Sequence, residues 1–148
     1  MSLNGYIFLL PKEIKVLIGV FVIVLSIGFF SGLLFVGETS SVNPNGIEEQ
    51  YLGNEHDEDA EVMKFKKSDQ EMLSIVHSHI LSMSLIFFLL GLIVSITKLK
   101  QRVKIFLMVE PLLSVLLTFG GLYFMWTGIL WMKYIVMFSG TLMTLSFL

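Results

Sequence analysis

The sequence contains no cysteine, and this absence excludes several kinds of chemistry. Disulfides, thiolate metal sites and thiol nucleophiles all require that side chain. The chain also shows no Gly-rich phosphate loop, no H-E-x-x-H pair and no visible Ser-His-Asp arrangement. We therefore expect a protein that is not an enzyme.

Charge is scarce as well, since only 15% of the 148 residues are charged and 55% are hydrophobic. Soluble domains carry charges at roughly 25% of their positions. A water-soluble fold of this length could not hide so much apolar surface. The composition predicts an integral membrane protein of one domain, 1–148, with the lipid bilayer and not nucleic acid as its surroundings.

Four apolar runs predict four membrane-spanning helices, at about residues 14–36, 72–97, 103–126 and 129–148. Spans of this kind need about 20 apolar residues to cross roughly 30 Å of hydrocarbon. Thr127 and Gly128 form a tight connection, so the last two spans should make a hairpin. The predicted fold class is all-α, an integral membrane four-helix bundle. The apolar patch at residues 6–10 is too short to span and should lie at the interface or on a partner.

The basic residues near helix ends predict the orientation. One group precedes the first span and another joins the second and third spans: Lys12, Lys15, Lys98, Lys100, Arg102 and Lys104. An even number of spans puts both groups in the cytoplasm, which gives N-in and C-in. Segment 37–71, with ten acids against three lysines, then forms one long outward-facing acidic loop. Its Asn43-Pro44-Asn45-Gly46 stretch predicts a turn.

Gly28 and Gly32 form a small-xxx-small pattern in the first span. Two small residues four apart let another helix backbone approach closely. We therefore predict helix packing at this face, although glycine is also common in membrane helices generally.

His77 and His79 are the histidines that lie outside the loop, about two turns inside the second span. Ionisable residues at such a depth suggest a functional role, and imidazole can ligate haem iron, copper or zinc. Positions two apart on a helix point about 200° apart. The two rings therefore cannot share one ion on a regular helix, and a bis-histidine haem would need a partner chain or a second copy.

One face of the second span is richer in metal-ligating groups, because Met72, His79 and Met83 share a stripe. A histidine between thioethers suits copper(I) or His/Met ligation of haem b. The alternative is structural: methionine is common packing material, and the histidine can hydrogen-bond a serine, a carbonyl or a headgroup.

Glu110 is a second intramembrane ionisable residue, and Pro111 follows it. A kink or a freed carbonyl is expected there because proline has no N–H. The carboxyl can serve as a proton-relay element, can pair with a base of the 98–104 loop, or can have a structural role.

The stretch from the late loop into the second span carries three motifs. They are Tyr51-Leu52-Gly53-Asn54, Met63-Lys64-Phe65-Lys66-Lys67-Ser68 and His77-Ser78-His79. In this stretch the chain resembles an uncharacterised family of small four-span bacterial inner-membrane proteins with Y-x-G-N, M-K-F-x-K-S and T-H-x-H motifs. Val76 stands where that family often has threonine. The resemblance covers about a third of the chain and implies a periplasmic loop and an H-x-H at the mouth of the second span.

These features together favour a non-catalytic accessory or scaffolding subunit of a larger bacterial inner-membrane assembly, whose partners are other membrane subunits or copies of itself. A respiratory assembly is one candidate host. One alternative is a haem- or copper-binding membrane protein that uses His77, His79 and Met83. Another is a small oligomeric transporter or channel, which would depend on Glu110 and Pro111.

Overall fold

A computed structural model describes residues 4–39, 43–55 and 62–148, and this part of the chain is helical without strands. A 3₁₀ helix at Tyr6–Leu9 precedes five α-helices: α1 (Lys12–Thr39), α2 (Pro44–Leu52), α3 (Asp69–Ser95), α4 (Gln101–Trp126) and α5 (Met132–Phe147). The all-α prediction is confirmed. The four predicted apolar runs correspond to α1, α3, α4 and α5.

Three of these helices are long and apolar enough to cross a membrane, namely α1, α3 and α4. Each has 26 to 28 residues, which gives a length of about 40 Å at 1.5 Å per residue. The 16 residues of α5 fall just short of the usual length of a spanning helix, which is about 17–25 residues. The prediction of a membrane protein is therefore confirmed by three apolar helices.

α4 is the central helix, because it packs extensively against both α3 and α5. Close approach is possible where the side chains are small: a Cβ at Gly121 would lie 2.9 Å from Val136 Cγ2 of α5. The buried apolar side chains come from these three helices: Met72, Phe87, Val115, Phe119, Leu122, Met125, Val136 and Met143. We call α3, α4 and α5 the core bundle.

α1 lies largely outside the core bundle, and no residue in its apolar window is buried. It contacts α5 through a stack of the Phe29 and Phe147 rings, whose centroids are 3.8 Å apart. At Gly28 and Gly32 an added Cβ would meet nothing within 4 Å. No described helix of the chain therefore packs on the face of α1 that carries Gly28 and Gly32. The structure thus has three packed helices and a fourth, α1, at their side, rather than four helices packed equally around one core.

The predicted turn at Asn43-Pro44-Asn45-Gly46 is wrong, because these residues begin α2. The Asn43 side chain accepts a hydrogen bond from the Gly46 amide at 2.7 Å and caps the helix. Pro44 occupies the first helical turn, where its missing N–H costs nothing. The helix packs across the end of the core bundle where α4 leads to α5, which we call the α4–α5 end.

Two segments of the polar loop interlock at the α4–α5 end. The Lys67 amide donates to the Tyr51 carbonyl at 3.0 Å, and the Asn54 amide donates to the Lys64 carbonyl at 3.0 Å. The Asn54 side chain accepts from the Lys64 amide at 2.6 Å. Ser68 then caps α3 in a capping box with Glu71. The first two of the three motifs that carried the family resemblance thus contact each other.

Gly53 makes this close contact between the two segments possible. Its φ of 83° and ψ of 173° lie in a region that essentially only glycine adopts. A Cβ there would also lie 2.8 Å from both the Lys64 carbonyl oxygen and the Lys66 amide nitrogen. The remainder of the polar loop, residues 40–42 and 56–61, lies outside the described residues.

We predict that Gly53→Ala loosens the interlocked segments, because strain of this kind costs about 1–3 kcal/mol. Hydrogen exchange at the Lys67 and Asn54 amides should accelerate about ten-fold or more, since about 1.4 kcal/mol corresponds to a factor of ten. Gly120→Ala is the matched control, because nothing lies within 4 Å of its added Cβ. Unchanged protection in Gly53→Ala would contradict the role assigned to this glycine.

Candidate functional site

Three polar side chains of α4 lie four residues apart and therefore share one face of the helix. Glu110, Ser114 and Thr118 are all buried, with 8%, 3% and 8% of their surface exposed. They face α5, which contributes Ser139 and Ser146. We call these five residues the polar column.

Glu110 lies at the end of the polar column nearest the start of α4, and two hydroxyl groups donate to its carboxyl group. The Ser114 hydroxyl, one turn further along α4, donates to Oε1 at 2.5 Å. The Ser146 hydroxyl of α5 donates to Oε2. Hydrocarbon offers no hydrogen bonds, so these contacts satisfy the carboxyl from inside the protein and tie α4 to α5.

The second contact between the helices lies two turns further along α4. The oxygen atoms of Thr118 and Ser139 are 2.7 Å apart. The Ser139 hydroxyl donates to the Ile135 carbonyl of its own helix at 2.8 Å. Because a hydroxyl has one hydrogen to donate, Thr118 is the donor to Ser139. Only 1% of the Ser139 surface is exposed, so this bond is fully inside the core bundle.

Pro111 follows Glu110 within a continuous α4. Proline has no N–H, so the carbonyl of Leu107, four residues earlier, loses its helical donor. The predicted freed carbonyl is therefore present in the turn that precedes the polar column. Helix breakers of this kind are tolerated in membrane helices where neighbouring groups can satisfy the backbone.

The base nearest to Glu110 along α4 has other partners. Lys104 is 5% exposed, and its ammonium donates to the Ser95 carbonyl at 2.9 Å and to the Asn4 side chain at 3.2 Å. In the described ranges the ion pair is instead Lys133–Glu48, at 2.7 Å. The suggested pairing of Glu110 with a loop base is wrong for this structure, because hydroxyls occupy its carboxylate oxygens.

The two histidines of α3 are both exposed. His79 faces α4, where its ring lies against Phe119 with centroids 4.7 Å apart. Its Nδ1 donates to the Ile75 carbonyl at 2.8 Å. His77 lies two residues earlier, about 200° around the helix. Glu110 and the histidines are not brought together.

Met72 and Met83, the predicted thioether ligands, belong to the core bundle. Met72 is completely buried in the hydrophobic core, and Met83 packs against that core. Across residues 4–39, 43–55 and 62–148, no three His, Asp or Glu side chains lie close enough to hold a metal ion. Ligation by His77, His79 and the methionines stays a prediction.

A half-buried contact also ties the polar loop to the core bundle. The Lys133 ammonium of α5 donates to Glu48 and to Asn45 of α2, at 2.7 Å and 3.0 Å. The Trp126 indole donates to the Lys67 carbonyl at 2.9 Å. Tyr51 belongs to α2, and burial raises the pKa of its phenol, so this hydroxyl stays neutral.

Sequence reasoning identified Glu110 but not its partners. The pattern that would have found them is simple: positions 110, 114 and 118 are four apart, and positions 139 and 146 are seven apart. Both spacings place polar residues on one helix face. The side chains of the polar column bond to hydroxyl groups and to the backbone carbonyl of Ile135. Two of these hydrogen bonds, Thr118–Ser139 and Ser146–Glu110, join α4 to α5.

We predict that Glu110→Ala lowers the free energy of unfolding by about 1–3 kcal/mol, because two donors lose their acceptor. Glu110→Gln should cost less than about 1 kcal/mol, since an amide can accept one hydrogen bond and donate the other. The measurement is reversible unfolding of the full chain in mixed detergent micelles.

The control for this series is Thr141→Ala on α5, whose exposed hydroxyl donates to Met137 of its own helix. Its effect should stay within about 0.5 kcal/mol. Equal losses for Glu110→Ala and Thr141→Ala would show that the carboxyl does not hold the helices together.

Residues 41–148 match the model of a family described as a transmembrane helical domain. The match covers nearly three quarters of the chain. It contains α2 and the whole core bundle, and it begins after α1. No curated protein matches the chain, and no solved structure matches it.

Proposed function

The chain belongs to the Aq_1264_TM family of transmembrane helical domains, and on that premise we propose that it is a non-catalytic accessory or scaffolding subunit of a larger assembly in a bacterial inner membrane. In this proposal the core bundle is the stable membrane anchor. α1 is the element that contacts the partner subunit. A respiratory assembly is one candidate host.

The proposal includes a topology of four crossings with both ends of the chain in the cytoplasm. Support comes from the distribution of bases. The Gly5 amide donates to the Thr97 carbonyl at 3.1 Å, and Lys15 in the first turn of α1 lies close to Thr97 and Lys98, so the start of α1 lies beside the end of α3. Six bases therefore lie at this end: Lys12, Lys15, Lys98, Lys100, Arg102 and Lys104. A cluster of this kind favours the cytoplasmic side, which leaves the acidic loop outside.

The observation that carries the functional proposal is the isolation of α1. It lies outside the core bundle, its apolar window has no buried residue, and it lies outside the residues that match the family. Gly28 and Gly32 leave a shallow surface that no described part of the chain fills. Lipid can cover such a helix, but a small-residue face gives the close backbone contact by which membrane helices associate. The proposed occupant is a spanning helix of another subunit.

We predict that Gly28→Leu combined with Gly32→Leu separates the protein from its partner. Two leucines would hold the backbones apart and should lower co-purification after gentle solubilisation by about ten-fold or more. Gly19→Leu is the matched control. It lies on the same helix with equally open space, about 180° around from Gly28.

The absence of cysteine allows a direct identification of the partner. A photoreactive maleimide attached at Gly32→Cys should cross-link a defined membrane protein, whereas the same reagent at Gly19→Cys should react with lipid. Cross-links of equal yield from both positions would contradict a docking face. A cross-link exclusively to a second copy would make the assembly homo-oligomeric.

A second proposal, haem or copper binding, is favoured by one feature of His79. Its Nδ1 donates to the Ile75 carbonyl, so Nε2 carries the lone pair that a metal would bind. Met83 lies one turn further along α3, and a partner chain would complete the ligand set. The transporter or channel hypothesis still depends on Glu110 and Pro111.

The histidine proposal predicts a Soret band or stoichiometric copper in protein purified in mild detergent. Either signal should disappear in His79→Ala, and a bis-histidine site shared with a second chain would also lose it in His77→Ala. His56→Ala, in the polar loop, is the control and should leave the signal unchanged. A colourless and metal-free preparation would leave both histidines with structural roles.

A further inference from the structure

An open groove of about 500 Å³ lies where α3 leads to α4, at the α3–α4 end of the core bundle. Five residues line it: Ile7, Phe8, Lys15, Thr97 and Lys98. One wall is therefore the N-terminal 3₁₀ helix, another is the first turn of α1, and the floor is the segment that follows α3. The groove is independent of the polar column and of the small-residue face of α1.

The N-terminal wall of the groove is fixed by backbone hydrogen bonds. The Gly5 and Ile7 amides donate to the carbonyls of Thr97 and Ile96, each at 3.1 Å. Asn4 accepts from the buried Lys104 ammonium at 3.2 Å. Gly5 adopts a φ of 80°, and a Cβ there would lie 3.0 Å from the Lys98 side chain. These contacts hold the segment and Lys98 in a defined geometry.

Both lysines of the groove converge on Phe8. The Lys15 ammonium donates to the Phe8 carbonyl at 2.8 Å. The Lys98 ammonium lies 5.1 Å from the centre of the Phe8 ring, within the distance of a cation–π contact, which is about 6 Å. An ammonium has three donors, so Lys15 retains at most two for a ligand. The two positive charges are thus oriented before any ligand binds.

The charge around the groove favours an anion. Residues 4–15 and 96–104 contain six bases and a single acid, Glu13, which does not line the groove. The surface beside it is apolar, since Phe8 is 65% exposed and Leu9 is 74% exposed. A ligand that suits both properties carries a phosphate next to hydrocarbon.

We propose that this groove binds the phosphate group of an anionic phospholipid, with Lys15 and Lys98 as its ligands. The acyl chains of the lipid then lie along Phe8, Leu9 and the exposed apolar surface of α1. Basic pockets between membrane helices recognise lipid headgroups in this way. The proposal commits to a lipid rather than to free phosphate because the groove opens between apolar side chains of a membrane protein. It requires only that the chain lies in a bilayer.

The experiment uses the full chain in lipid nanodiscs of phosphatidylcholine, into which a labelled phosphatidylglycerol is titrated. Binding is measured by fluorescence transfer from a donor dye on a cysteine introduced as Leu148→Cys, beyond the end of α5, because the chain has no native thiol. Lys15→Gln combined with Lys98→Gln should weaken binding about thirty-fold, from the usual contribution of two lysines near a membrane surface.

Two further variants make the outcome decisive. Lys12→Gln combined with Lys100→Gln removes the same charge at the same end without touching the groove. It should weaken binding less than about three-fold, because lysines that do not contact the phosphate act on it through water and are screened by salt. Lys15→Arg combined with Lys98→Arg keeps both charges and should retain binding, which would show that the glutamine pair loses binding because the charge is missing.

Equal losses in the two glutamine pairs would overturn the proposal, because they would indicate general attraction without a site. Inorganic phosphate or glycerol phosphate that displaces the labelled lipid at the same concentration as unlabelled phosphatidylglycerol would also overturn it, in favour of a soluble anion. Displacement by unlabelled phosphatidylglycerol, without displacement by either soluble phosphate, would support a site for the phospholipid.

Discussion

A helix inside a bilayer cannot leave its polar groups to water, and this constraint determines how the chain packs. α4 carries Glu110, Ser114 and Thr118 on one buried face, and each must find its partner within the protein. α5 supplies partners for Thr118 and Glu110 through Ser139 and Ser146, and Ser114 donates to Glu110 within α4. Buried side-chain polar atoms among the described residues all have a hydrogen-bond partner. The position of α5 against α4 therefore follows from hydrogen bonding as much as from apolar packing.

The same requirement operates at both ends of the core bundle. At the α3–α4 end, the N-terminal segment accepts a bond from buried Lys104 and donates backbone amides to the residues that follow α3. At the α4–α5 end, α2 and residues 62–68 satisfy Trp126 and Lys133. The polar loop is thus part of the folded domain, and α1 is the long helix that the rest of the chain leaves exposed.

The sequence was sufficient to predict the all-α class and the approximate positions of the long helices, because apolar runs of that length have few alternatives. It also identified Glu110 and the residues of the interlocked loop. It did not reveal that Ser146 binds Glu110, or that Tyr51 binds Lys67, because such contacts depend on three-dimensional packing between distant segments. α2 was missed because Asn-Pro at a helix start uses the same residues as a turn.

The most direct test of the central claim is a double-mutant cycle between Glu110→Ala and Ser146→Ala, measured by reversible unfolding in mixed micelles. If the polar column holds α5 on α4, the two substitutions should be coupled by at least about 0.6 kcal/mol and at most about 1.7 kcal/mol, the average and the maximum found for hydrogen bonds between membrane helices. Strictly additive effects would contradict the account, because they would show that the carboxyl and the hydroxyl do not depend on each other.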